Sequence, residues 1–374
     1  THYSLIMRLK KISFEETHSF SNFFLDYIKQ KESLRKFYAR FPLPGNFSDQ
    51  IKEKQQSYTT ETRATLTATL QEQYKNIEKH EAVKNSLTLL QQVNTFTVTT
   101  GHQLNIFTGP LYFIFKIVTV INACKQLKNQ YPQYNFVPVY WMASEDHDYD
   151  EIKYFKLYGK KYTWETDQKG AVGRFNPQSM SKMINDVPGE ISLFKTAYLK
   201  HNTLSEAVRY YVNELFGAEG LVVVDADHRA LKNSLRGVMR DDLFNHTTKQ
   251  LVESQNQQLE SLGYHTQVFA RDINFFYLDK NLRGRIEQKE DKFQVVDSAI
   301  QFSKAEIEKI IEQEPEKLSP NVILRPLYQE IILPNLAYAG GPDEVVYWLQ
   351  FKSVFEHFEV PFPILMPRNF GVVI

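Results

Sequence analysis

Two hydrophobic rhythms alternate along the chain, and they divide it into a helical beginning and a mixed α/β remainder. Up to residue 92, apolar residues recur three and four apart among mixed charges, as in "HSFSNFFLDYIKQKESLRKFYARF" and "ETRATLTATLQEQYKNIEKHEAVKNSLTLLQQ". That spacing predicts amphipathic helices, punctuated by "PLPGN" at Pro42–Asn46. Then "VNTFTVTT" reads as a strand, Pro110 to Leu127 as a helix apolar on most of its surface, and "FVPVYWMAS" (Phe136–Ser144) as a buried strand. Strand, helix, strand in this order is a βαβ unit, which requires a parallel sheet and a right-handed crossover.

Beyond it the pattern loosens. "KYFKLYGKKYTWE" alternates around Gly159–Lys160 like a hairpin, and the chain stays polar to about Phe216. "LVVVDAD" (Leu221–Asp227) restores the buried-strand signature and a helical stretch runs on to Leu262. "VFARDINFFYLDKNLRGRIEQKEDKFQVV" reads as a meander turning at "NLRG". A helix "KAEIEKIIEQE" follows, then "SPNVILRPLYQEIILP" with Arg325 among apolar strand residues, an apolar helix after "YAGGP", and a last strand "FPILMP". No internal repeat or low-complexity tract interrupts this order. The pattern predicts an α/β fold: a Rossmann-type, doubly wound parallel sheet carrying two inserted segments and a helical N-terminal region. The expected parts are a helical region over 1–92 packed on the core, core segments over 93–152, 219–262 and 303–374, and insertions over 153–218 and 263–302.

Composition narrows the function. Of 374 residues, 44 are Lys or Arg and 44 are Asp or Glu, so the net basicity that accompanies nucleic-acid binding is missing and no nucleic-acid partner is expected. The single cysteine, Cys124, excludes an internal disulfide and a CxxC metal site. It follows Ile117, Val120 and Ile121 at helical spacings, which predicts a buried core thiol. The first ten residues carry no signal-peptide apolar region. The most apolar stretch, "LYFIFKIVTVINAC", is interrupted by Lys116 and falls short of the ~20 residues of a membrane span. A cytoplasmic protein with no membrane partner is therefore expected.

Ligands of open parallel sheets bind beyond the carboxyl ends of the strands, and three polar clusters sit at such ends: "TTGHQLNIFTGP", "SEDHDYDE" and "DADHRALK". The first is neither GxGxxG nor GxxxxGK[ST], so it is no dinucleotide fingerprint or P-loop. It does place Gly101, His102, Gln103, Asn105, Thr108 and Gly109 ahead of a helix whose free N–H groups favour an anion. Tyr112 and Lys116 form a narrow polar stripe on that helix, facing either solvent or the crevice.

"SEDHDYDE" supplies Glu145, Asp146, Asp148, Asp150 and Glu151 around His147, a hard-ligand set that could take Mg²⁺ or Zn²⁺. No second histidine lies at HxH or HxxxH spacing, and adjacent acids at a strand end can equally cap a helix or turn; substrate binding or acid/base work by Glu145, Asp146, His147 and Asp148 is expected ahead of that, without a permanent metal. Asp225, Asp227 and His228 of the third cluster serve equally well as a helix cap. "YAGGPDEVVYW" repeats the glycine–proline device before a helix and brings Tyr338, Gly340, Gly341 and Glu344. Arg325 and Gln329 lie just upstream, and an arginine among apolar residues needs an anionic partner. The loops following the first two strands are expected to open on one crevice.

In their order and separation, "TGHQLNIFTGPLY", "VPVYWMASEDHD", "SPNVILRPLYQ" and "AYAGGPDEVVYW" resemble the bacillithiol biosynthesis cysteine-adding enzyme family, BshC. "HSFSNFFLDYI" and "LRKFYARFP" are similar to it as well, so the likeness runs over nearly the whole chain. It implies a Rossmann-type core with connecting insertions and a ligase that joins cysteine to glucosaminyl malate, its small-molecule substrates. Family members continue into a helical coiled coil associated with dimerisation, whereas this sequence stops at Ile374; a homodimer is expected of the full-length member. Amide formation from a free carboxylate is uphill in water, so the cysteine carboxyl is expected to be activated, most simply by ATP with Mg²⁺. By fold-level analogy, Gly101 and His102 stand where class I synthetases place a histidine–glycine loop against phosphates. On this reading His102 and the Glu145–Asp148 cluster are catalytic, and the remaining loop residues, with Tyr112, Lys116, Arg325, Gln329, Tyr338 and Glu344, bind substrate or nucleotide. Two rivals remain at this point: a metal-dependent hydrolase using Glu145, Asp146, His147 and His228, and a non-catalytic nucleotide- or metabolite-binding scaffold.

Overall fold

The computed structural model describes residues 11–371. Its N-terminal region is helical, but in shorter pieces than the sequence rhythm suggests. Helix Asn22–Ile28 ends in a 3₁₀ turn over Glu32–Phe37, and helices Phe47–Ser57, Thr60–Gln73 and Glu81–Leu89 follow. Side-chain caps set two of these starts: Ser21 accepts from the Phe24 N–H, and Thr59 from the Thr62 N–H. The region is bound to the rest of the chain through buried phenols. Tyr27 donates to the Leu365 carbonyl at 2.7 Å, and Tyr74 accepts from the Val223 N–H at 2.8 Å.

Strand β1 (Thr95–His102) leads through the histidine loop into helix Tyr112–Gln130 and strand β2 (Asn135–Met142). A hairpin of β3 (Tyr154–Leu157) and β4 (Lys160–Thr163) turns on Tyr158 and Gly159. Both have positive φ, +49° and +78°, the geometry that suits a two-residue hairpin turn. Short helices over residues 172–216 lead to β5 (Val222–Asp225). Helices Arg236–Asn245 and Thr247–Ser261 precede a second sheet of β6 (Phe275–Asp279), β7 (Leu282–Lys289), β8 (Lys292–Val295) and β9 (Gln301–Ser303). After helix Lys304–Gln313, β10 (Leu318–Pro320) returns to pair antiparallel with β6. The small sheet therefore draws on residues well beyond the 263–302 segment. Strands β11 (Asn335–Gly340) and β12 (Ile364–Pro367) complete the chain's sheets.

The main sheet has the order β12-β11-β1-β2-β5, with every neighbour parallel. The chain builds outward from β1 to β2 and β5, then crosses back to β11 and outward to β12. The direction reverses between β1 and β11, and the crevice above that reversal is where an open α/β sheet binds its ligand. Thr97 and Thr99 stitch the two strands together by donating to Asn335 Oδ1 at 3.0 and 2.8 Å.

"SPNVILRPLYQEIILP" is not a strand around Arg325. It is β10 followed by helix Leu324–Ile332. Leu324, Leu327, Tyr328 and Ile332 are buried at helical spacing, and Asn321 Oδ1 accepts the Ile323 and Leu324 N–H groups at 2.9 and 3.3 Å to start the helix. Cys124 lies in the core, where burial pushes its thiol pKa far up. No described helix is long and apolar enough to cross a membrane.

Candidate active site

A cavity of about 630 Å³ opens at the carboxyl ends of β1, β2 and β11. Its floor is made at the reversal point. Gly101 keeps it low: a Cβ there would come 3.2 Å from the Tyr338 hydroxyl and 3.8 Å from Arg325 Nη1. Lys116, buried on the helix after β1, donates to the Gly101 carbonyl at 2.9 Å and pairs with Glu344 Oε2 at 2.5 Å. Its stripe therefore faces the crevice. Glu344 also accepts from the Tyr338 hydroxyl at 2.7 Å and the Gly341 N–H at 2.8 Å. Burial alone would raise its pKa, but Lys116 and these donors outweigh burial and hold it below the ordinary carboxylate value.

His102 closes one side, stacked on Tyr112 with ring centroids 5.3 Å apart. Its Nδ1 lies 3.0 Å from the Gln103 carbonyl, so the neutral ring carries its proton there, and the buried Nε2 has no hydrogen-bond partner among the described residues. Burial, helped by the Lys116 charge, pushes its pKa down to about 4. Gln103 donates to Asp146 Oδ2 at 2.6 Å, which joins the loops after β1 and β2 directly.

Glu145 points inward and pairs with Lys232, whose side chain is fully buried and also donates to the Leu318 carbonyl at 2.7 Å. Burial raises the Glu145 pKa despite that partner. Asp146 behaves oppositely: burial pushes it up, but His147 and Arg283 prevail and hold it well below the usual range. Arg283 donates to His147 Nδ1 at 2.7 Å and lies 4.0 Å from the Phe276 ring centroid. On the far wall the Arg325 guanidinium sits 5.7 to 5.8 Å from the rings of Trp141, Tyr338 and Trp348 and donates to Gln329 Oε1 at 3.1 Å.

The structure thus brings Gly101, His102, Gln103, Tyr112, Lys116, Glu145, Asp146, His147, Arg325, Tyr338 and Glu344 to one cavity. It places the other expected residues behind its walls. Asp148 caps the short helix Tyr149–Ile152 by accepting the Glu151 N–H at 3.2 Å. Asn105 donates to the Glu151 carbonyl at 3.1 Å and underlies Gly109, where a Cβ would meet Asn105 Cβ at 2.5 Å. Phe107, Thr108 and Gly109 run consecutively at positive φ, braced by Phe155 and by the Tyr198 hydroxyl. The second half of the histidine loop is therefore a structural turn. The backbone donors expected to cradle an anion are already used: the Gly109 N–H bonds the Ile106 carbonyl and the Gly341 N–H bonds Glu344. Gly340 flanks this turn by accepting the Arg368 N–H, and Gln329 supports Arg325 from behind. His228 lies beside Glu72, apart from the Glu145–His147 group, so the four residues of the hydrolase reading do not meet.

The second sheet adds lining residues that hydrophobic periodicity does not mark. Arg283 and Arg285 alternate on β7, and Phe276, Arg271 and Asn321 join them in the lining. The period-two "LRGR" in the meander was the available signal, since it sets both arginines on one face. A larger open groove of about 1280 Å³ lies between residues 32–57 and 352–362. It lies away from the carboxyl ends of β1, β2 and β11, and two of its cations pair within it, Arg40 with Glu53 and Lys352 with Glu356.

A parallel sheet with one reversal, and a polar, cation-lined cavity above it, define a Rossmann-type α/β protein built around a small-molecule site. The family model for "Bacillithiol biosynthesis BshC, N-terminal Rossmann-like domain" matches residues 7–369. A protein of Flavobacterium psychrophilum named "Putative cysteine ligase BshC" is 44% identical over 375 residues, covering 97% of this chain and 70% of the relative. Its namesake in Flavobacterium johnsoniae is 45% identical, covering 96% and 69%, and that of Natranaerobius thermophilus is 30% identical, covering 93% and 68%. The chain belongs to the BshC family of bacillithiol biosynthesis.

Proposed function

We propose that the protein is a ligase that forms the amide bond between the cysteine carboxyl and the amine of glucosaminyl malate, in the last step of bacillithiol biosynthesis. The observation that carries the reading is the Arg325 wall of the reversal-point cavity. A half-buried guanidinium among the rings of Trp141, Tyr338 and Trp348 favours a planar anionic group, and each carboxylate of a dicarboxylate is such a group. Arg271, which makes no ion pair among the described residues, and Arg285 add positive charge across the same cavity. In this proposal they bind the malate carboxylates, while Lys116 and Glu344 fix the floor on which the reacting groups meet.

Glu145 is the proposed acceptor of the amine proton. It lines the cavity, and its raised pKa makes it a better base than the buried His102. Asp146 and His147, locked to Arg283 and Gln103, orient the loop that presents Glu145. His102 offers a neutral Nε2 as a hydrogen-bond acceptor in place of the phosphate contact suggested by analogy.

ATP with Mg²⁺ is part of the same proposal: it would convert the cysteine carboxyl to an acyl phosphate or adenylate, so that attack by the amine would break the activated C–O bond and release phosphate or AMP with the carboxyl oxygen; the arginine-rich wall that suits a dicarboxylate suits a polyphosphate as well. We also place the reaction in the cytoplasm, and expect a homodimer for a chain carrying the family's coiled coil. Incubation with cysteine and glucosaminyl malate, with and without ATP–Mg²⁺, tests the proposal by mass detection of the amide. Product in the complete mixture supports it. Absence of product from folded protein in both mixtures refutes the ligase reading.

A further inference from the structure

Between helix Thr247–Ser261 and β6 the chain crosses the cavity mouth as an irregular strap bearing Phe269 and Arg271. A segment without regular hydrogen bonds needs another way to hold its functional side chain still. Here one buried amide does it. Asn274 Oδ1 accepts the Arg271 N–H at 3.2 Å, and Asn274 Nδ2 donates to the Arg271 carbonyl at 2.9 Å.

The same amide governs the opposite wall. Asn321 Nδ2 donates to Asn274 Oδ1 at 2.9 Å, and the Asn321 N–H donates to the Asn274 carbonyl at 2.9 Å. Asn321 in turn caps the helix that carries Arg325, and its carbonyl accepts the Arg325 N–H at 2.9 Å. The backbones of both arginines are thus referred to a single side chain.

What fixes that side chain is Asp242, fully buried on helix Arg236–Asn245. Its two oxygens accept from the Asn274 N–H at 2.6 Å and from Asn274 Nδ2 at 2.9 Å. A flipped Asn274 amide would set Nδ2 against the Arg271 N–H and Asn321 Nδ2, donor against donor, while its oxygen faced a carboxylate. Only one orientation satisfies all partners. Burial pushes the Asp242 pKa up to about 6, with no lysine or arginine paired to it among the described residues; His246 is the charged neighbour acting on it, and its ring bridges the Asp272 carbonyl and Gln288 of β7. Keeping an acid there is costly for a contact that merely joins two loops.

We propose that Asp242, Asn274 and Asn321 are positioning residues that set the separation of the Arg271 and Arg325 guanidinium groups, and that this separation selects a substrate bearing two carboxylates. The proposal rests on the ligase reading above, with the malate end held between the two arginines.

Steady-state kinetics of Asn321→Ala and Asp242→Asn, with thermal unfolding of each, test it. The expected result is a rise of about tenfold or more in KM for glucosaminyl malate, with kcat and the KM for cysteine within about twofold of wild type. The wild-type KM for glucosaminyl malate should also climb as pH falls through about 6, beyond what the substrate's own titration causes, and that extra climb should be missing from Asp242→Asn. Folded variants with unchanged KM, or with losses shared equally by cysteine, overturn the proposal. If Asp242→Asn does not fold, Asn321→Ala decides, since it leaves the Asp242–Asn274 bonds in place. Failure of wild type to turn over sinks the ligase reading; a wild type that works beside indifferent variants sinks the positioning network alone.

Discussion

Lys116 Nζ lies 2.5 Å from Glu344 Oε2, and this ion pair clamps the helix that follows β1 to the helix that follows β11. It spans the point where the sheet reverses and forms part of the site's floor. Both side chains are largely shielded from water, and the carboxylate has two further donors in Tyr338 and Gly341. The pair is thus well satisfied as a unit and intolerant of losing one member.

Lys116→Met is expected to leave Glu344 as an uncompensated buried charge and to cost about 3–5 kcal/mol of stability. The sign with pH follows from the Glu344 pKa, which is lowered on folding. Its contribution is present above the unfolded carboxylate value and is lost as pH falls through the folded one. Urea unfolding of wild type and variant at neutral and acid pH checks both statements: the gap between them should narrow as pH drops. A gap below about 1 kcal/mol at neutral pH would show that the pair contributes little.

Arg325→Lys keeps the charge but loses the planar fork, so the expected effect falls on binding. Losing a charge-assisted pair should cost about 1.5–3 kcal/mol, which is roughly tenfold to a hundredfold in KM for glucosaminyl malate. The melting temperature should move little, because Gln329 is the modest partner given up behind it. A large fall in melting temperature with an unaltered KM would instead make Arg325 a structural residue.

The main sheet was readable because parallel strands buried on both faces appear as apolar runs, and "FVPVYWM" and "LVVVD" are such runs. Gly101, His102, Lys116 and Glu344 were findable because they stand at or just beyond strand ends: Gly101 and His102 close β1, Lys116 lies about one turn into the helix that follows it, and Glu344 lies in the first turn of the helix after β11. Arg325 was placed on the wrong element because the Asn321 cap was not recognised; it lines the cavity, and its side-chain partner there is the neutral Gln329 in place of the anion its setting led one to expect. Arg271 carried no local signal, and the period-two "LRGR" could set Arg283 and Arg285 on one face without showing which surface that face meets. Their place depends on β10 pairing with β6, where Leu318 meets Tyr277 across some forty residues of chain, and no window of hydrophobic periodicity holds that information. The second half of "TTGHQLNIFTGP" misled because a turn rich in Gly and Asn looks alike whether it holds a ligand or only itself.

Cys124→Ala is expected to leave turnover per folded molecule unchanged. The thiol is buried in the core, and burial raises its pKa, so it stays protonated and away from the cavity. The small void left behind should cost about 1–2 kcal/mol of stability. Titration of active sites alongside kinetics separates the two effects, and abolished turnover in a well-folded variant would show that the protein's own thiol takes part.

His102 supplies the sharpest test of how the site handles protons. Its Nδ1 faces the Gln103 carbonyl, its Nε2 is buried without a partner among the described residues, and its pKa is pushed down to about 4 by burial and by Lys116. Three outcomes follow for the unliganded protein. The ring should be neutral throughout the physiological range, with its proton on Nδ1, and nitrogen chemical shifts of labelled histidine should report that tautomer. Its titration should have a midpoint near about 4 rather than near the unperturbed value of about 6.5. Because the unfolded chain binds this proton more readily than the folded one, stability should fall as pH drops from about 6.5 toward 4, and His102→Phe should lose that slope. A midpoint near 6.5, or a proton on Nε2, would mean that His102 is a solvated cation or a donor to the ligand. The Nε2 acceptor role assigned to it would then have to be given up.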